Sequence, residues 1–208
     1  TGLQASMIGA NGTATASSTS FESLGLGDGD RIQSGSMAGV SAAWNGGAGT
    51  GTVTADEAGI DGLSIEQTSI ASARGTGMTV NAAALEDGHS RLTVGGQNVT
   101  GQGLVVGDDL SVDDLSLTSP TFTNDTSNRT QSASAAALNM GGVSSEHLSA
   151  SNLQSTGATY SLDRRSGELT TGAASIDGRN VVAGGVTMQT ANVDGLQYAN
   201  NIETGAGS

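Results

Sequence analysis

Apolar residues along this chain recur at every second position. Leu110 and Val112, then Leu115 and Leu117, alternate with Ser, Asp and Thr. That period places successive side chains on opposite faces of an extended backbone, so it predicts β-strands. No amphipathic stretch of period 3.6 continues for a dozen residues, and the abundant glycine opposes helix by about 1 kcal/mol per position relative to alanine. One candidate helix stands out, the alanine-rich run from Ala133 to Met140.

Between the alternating runs stand Asn45-Gly46-Gly47, Glu86-Asp87-Gly88 and Arg165-Ser166-Gly167, residues that tolerate the positive φ of tight turns. Strand, turn and strand then repeat. GVSAAW, NGGAGT and GTVTADEAGIDG around Val40 return as GATYSL, DRRSGE and LTTGAASIDG around Tyr160. Intermediate passes are GMTVNAAAL with EDGHSR and LTVGG, and TFTND with TSNRT and SASAAALNMGG. An Ile/Val-Asp-Gly triplet at residues 60, 176 and 193 looks like a register mark. The unit is roughly 35 to 45 residues, within the range of repeat architectures.

These features predict an all-β, elongated repetitive antiparallel sheet or β-solenoid of about five hairpin-containing units. The units are expected near residues 3–36, 37–76, 77–120, 121–156 and 157–208, all in one segment spanning 1–208. At about three strands each they amount to some fifteen strands, too many for one flat open sheet without curling or splitting. Hairpin turns favour a meander, and the shortage of large side chains favours a narrow solenoid. The chain begins without Met, inside text that already reads as repeat, and is expected to be part of a larger protein.

Composition narrows what such a sheet can do. Hydrophobic residues make up 35% and aromatic residues 2%, so any core is thin. A net charge of -13, with seven Arg and no Lys, leaves no basic patch for nucleic acid or an anionic membrane, and no apolar run is long enough to span a bilayer. Without cysteine there is no disulfide framework and no thiolate.

Candidate chemistry is sparse. Asp28 and Asp30, separated by glycine in GLGDGD, are the first choice for calcium, which prefers carboxylate oxygens. Other acidic pairs, Asp108-Asp109, Asp113-Asp114 and Glu86-Asp87, read as solvated turn or edge charges. His89 and His147 stand in polar loop text, away from any nucleophile motif. No catalytic residue and no other cofactor site is assigned, and the expectation is a protein that is not an enzyme. The functional expectation is a structural or interaction segment of a secreted or cell-surface bacterial protein, a stalk, filament or adhesin-like spacer that engages protein partners or itself. Two alternatives are a β-groove conduit for lipid or another apolar ligand, and a polysaccharide-active β-helix meeting a glycan.

Overall fold

The computed structural model describes residues 2–27 and 29–202. Its strands are β1 (Gln4–Ile8), β2 (Asn11–Gly27), β3 (Asp30–Asn45), β4 (Thr50–Ile65), β5 (Thr68–Ala84), β6 (Ser90–Gly95) and β7 (Asn98–Val106). They continue with β8 (Leu110–Thr118), β9 (Thr121–Asp125), β10 (Thr130–Ser144), β11 (Leu148–Asp163), β12 (Glu168–Ala183) and β13 (Val186–Asn201). All 13 belong to one sheet, and every pairing is antiparallel. β6 and β7 lie end to end along β5, as β8 and β9 do along β10, so each couple acts as one long strand. The result is a meander, not a solenoid: each long strand pairs with its neighbours in sequence.

The repeat is a hairpin of two long strands, where three shorter ones were expected. Hairpins open at Asn11, Thr50, Ser90, Thr130 and Glu168, a spacing of 38 to 40 residues. Ala133–Met140 is the middle of β10, not a helix. The expected unit limits at 76/77, 120/121 and 156/157 fall inside long strands, whereas the turns lie elsewhere.

Two lines of positive-φ residues cross the sheet. Along the first, the ladder skips Ser23, Gln33, Gly62, Ala71, Gly103, Asp113, Gly142, Ser151, Asn180 and Gln189. Along the second it skips Ser17, Gly39, Asp56, Gly77, Gln97, Ser119, Ala136, Gly157, Ala174 and Gly195. Every long strand crosses both lines six residues apart, as at 33 and 39 in β3 or 56 and 62 in β4. It takes positive φ at one crossing only, and neighbouring strands alternate. Ser23, Gly62, Gly103, Gly142 and Asn180 on the first line, and Gly39, Gly77, Ser119, Gly157 and Gly195 on the second, all have φ between 48° and 65°. Each positive-φ residue therefore faces an extended one.

This device reconciles long strands with a one-sided apolar pattern. Each crossing adds one residue to both partner strands, as a paired bulge would, so the register survives while the side-chain phase advances by one. The apolar face consequently follows steps of three and two, as at 112, 115, 117, 120 and 122 along β8 and β9 or 150, 153, 155, 158 and 160 in β11, where only Ser155 is polar. These positions remain on one face throughout. At the first line the sheet bends toward that face: Val112, Val143, Ala150 and Val181 are buried, with Met140, Leu153 and Ala191 from across the line packed on them. Beyond the second line Ala55 and Ala135 are buried.

With no second layer among the described residues, the buried apolar side chains are confined to the flanks of these lines. The accessible surface is 12333 Å² for a 20.3 kDa chain, against about 8,800 Å² for a compact globule of that mass. Among the described residues sixteen large hydrophobics are exposed, Phe122, Leu196 and Tyr198 included. The Asp-Gly triplets are not equivalent marks: Gly62 lies on the first line, Gly195 on the second, and Gly178 pairs ordinarily with Leu153. A local triplet match carries no information about position along a strand; the step from two to three does.

Candidate binding surfaces

The bend at the second line produces an apolar groove of about 430 Å³. It is lined by Met78, Val99, Leu117, Pro120, Phe122, Leu138 and Tyr160. The strands β6/β7 and β8/β9 are broken here. Pro120 cannot donate to a ladder and would disrupt a central strand. At the break Ser119 N donates to Gln97 O at 2.7 Å, Gly96 N donates to Pro120 O at 3.1 Å, and Gln97 N donates to Thr76 O at 2.9 Å. The backbone is thus satisfied around the proline, and its ring is free to face the groove. The volume falls within the range of small-molecule sites, and the lining is almost wholly apolar.

On the opposite face of the band between the two lines runs a polar trough of about 720 Å³ lined by Arg74, Gln102, Asp114, Ser116, Asn139 and Asn152. Across its strands Gln102 Nε2 donates to Asp114 Oδ1 at 3.4 Å. Arg74 Nη2 meets Asp61 Oδ1 at 2.7 Å, and Nη1 donates to the carbonyls of Ile60 and Ala73 at 2.8 and 2.9 Å. Hydrogen bonding from Arg74 holds the Asp61 carboxyl below the usual carboxylate range, partly offset by desolvation, with Ser34 Oγ adding a further bond. In an adjoining polar pocket, which shares Asn152, Asn192 Nδ2 donates to Asp177 Oδ1 at 2.7 Å. The Arg74–Asp61 and Asn192–Asp177 contacts are both cross-strand pairs.

Asp30 opens β3, and its Oδ1 accepts the Glu66 backbone N–H at 2.8 Å, tying two turns together. Asp28 lies outside the described residues, and no group of three or more His, Asp or Glu suited to a metal occurs among the described residues. Asp108 and Asp109 occupy the turn after β7, and Asp87 sits at φ 57° in the short 3-10 turn Glu86–Gly88. His89 follows that turn, exposed; His147, also exposed, is 3.8 Å from Glu146.

A junction not anticipated from the sequence joins Asp125 to Arg91. Asp125 is 4% exposed and accepts from Arg91 Nε and Nη2 at 3.0 and 2.6 Å, from Ser127 N and Oγ, and from Asn128 N and Nδ2. These bonds, Arg91's foremost, hold the Asp125 carboxyl far below the ordinary range. The turn half of this motif was visible as Asp-Thr-Ser-Asn, an aspartate followed by donors two and three residues on. The Arg91 half depends on the pairing of β6 with β9.

No helix among the described residues is long and apolar enough to cross a membrane. No protein family, curated protein or solved structure matches the chain.

Proposed function

We propose that this chain is a structural and interaction segment, a repetitive β-sheet spacer of a secreted or surface protein. The observation that carries this reading is the registration of both bend lines through all ten long strands, so that adding a hairpin lengthens the sheet without altering its cross-section. Such an object converts chain length into distance, and its acidic surface keeps it soluble. Small-angle scattering tests the extended form. A compact 208-residue globule has a radius of gyration of about 17 Å. The spacer reading expects a clearly larger value and fails if the globular one is found.

The groove beside Leu117, Pro120 and Phe122 favours a second reading, a conduit or seat for an apolar ligand. Mass spectrometry of organic extracts of the purified protein tests it. A co-purifying lipid lost in the Leu138→Asp variant supports the conduit; clean extracts speak against it.

A further inference from the structure

We infer that the polar trough between the two bend lines is a docking surface for a neutral linear polysaccharide, which lies across the strands along one row of side chains. The inference rests on the reading of the chain as an interaction segment and names the class of its partner. Arg74, Thr100, Ser116, Asn139, Gln154 and Asp177 are direct cross-strand neighbours, one from each of β5, β7, β8, β10, β11 and β12. Neighbouring strands stand about 4.8 Å apart, so this row is about 24 Å long. The two polar pockets that share Asn152 open along it.

The ends of the row are occupied and its middle is free. Arg74 is bonded to Asp61, and Asp177 to Asn192. The side chains of Thr100, Ser116, Asn139 and Gln154 have no hydrogen-bond partner among the described residues. Asn139 is half-buried in the trough of about 720 Å³, with its amide uncommitted. Four successive rungs thus present donors and acceptors together, two hydroxyls followed by two carboxamides. A regular chain of sugar hydroxyls answers that pattern, because each hydroxyl both donates and accepts. A protein partner would bring apolar side chains to bury, and these rungs give them no cover.

Charge narrows the class further. In and beside the row Glu57, Asp61, Asp114 and Asp177 stand against Arg74 and Arg179, in a chain of net charge -13. The excess of carboxylates repels uronate and sulfate groups and leaves uncharged sugars. The six rungs carry no aromatic ring, so each sugar is held by hydrogen bonds without stacking. Affinity therefore accumulates along the polymer instead of residing in one subsite.

Native electrophoresis of the full chain through gels containing hydroxyethyl cellulose, arabinoxylan or galactomannan tests this, with polygalacturonate as the acidic counterpart. At least one neutral polymer should retard the protein, and polygalacturonate should not. Oligosaccharides cut from the retarding polymer should compete better as they lengthen. Asn139→Ala with Gln154→Ala, and separately Thr100→Ala with Ser116→Ala, should each weaken binding about tenfold with unchanged far-ultraviolet dichroism. Phe122→Ser, on the apolar face, should bind as wild type. Absence of retardation by every neutral polymer overturns the inference, as does equal retardation by polygalacturonate. So does loss of binding in Phe122→Ser while both polar pairs bind as wild type. A protein that binds none of these polymers yet has an extended scattering profile removes the polysaccharide and leaves the spacer reading standing.

Discussion

Asp113 of β8 lies across Gly142 of β10, its carboxylate filling the space where a Cβ on Gly142 would stand. Gly142 also has φ 58°, so glycine is required twice at that position. The Gly142→Ala variant should lose about 2–3 kcal/mol from left-handed strain and overlap together. Adding Asp113→Ala should relieve the carboxylate overlap, leaving the left-handed strain and the contact with the residue 113 Cβ at 2.9 Å. Urea unfolding of the two variants separates these contributions, and a neutral Gly142→Ala would show that the bend lines bear no strain.

Ser119 occupies the equivalent place on the second line with φ 49° but carries a side chain. Ser119→Gly is expected to raise stability by about 0.5–1 kcal/mol, because relief of the left-handed conformation outweighs the added freedom of the unfolded chain. Ser116, three residues earlier in an ordinary strand position of β8, provides the control: the same change there should destabilise. Opposite signs in thermal unfolding are the result to look for.

Within the apolar row that runs through Leu138 and Ile176, Ser155 is 8% exposed and its hydroxyl lacks a hydrogen-bond partner. Removing that hydroxyl with Ser155→Ala should stabilise the sheet by about 1 kcal/mol, since a buried polar group without a partner costs more than it returns. Denaturant midpoints at constant slope would register the gain.

The Asp125 junction should make stability depend on acid. Its carboxyl is depressed in the folded chain, chiefly by Arg91, and sits near 3.9 when unfolded. Its contribution is therefore complete above the unfolded value and is lost as pH falls through the folded one. Asp125→Asn should be less stable than wild type at pH 7, and the two should converge as pH is lowered from about 5 toward 2. Parallel stability profiles across that range would mean the ion pair contributes nothing.

The β class and the turns were legible because they rest on local chemistry: alternation for strands, and Asn-Gly-Gly or Arg-Ser-Gly for reversals. The bend lines were not. Their glycines are hidden among 33, and Gly62 or Gly142 looks like any turn residue until the apolar steps of two and three are counted along each strand. Taking such interruptions as strand ends yields three short strands per unit in place of two long ones. The same steps explain the helical look of Ala133–Met140, where apolar residues at 133, 135, 138 and 140 imitate a period above two. The groove was hidden for a related reason. Met78, Leu117, Phe122 and Tyr160 are scattered over more than 80 residues and converge only through strand register.

Because the two bend lines alternate between neighbouring strands, growth of this sheet is quantised. One extra strand reverses the chain direction and moves the left-handed residue to the other line, so the pattern repeats only after two strands, about forty residues. A single inserted residue between the lines would throw both adjacent ladders out of step, whereas loss or gain of a whole hairpin would leave every surviving contact intact. Variation among sheets built this way should accordingly appear as whole-hairpin differences in length, with the six-residue interval held constant.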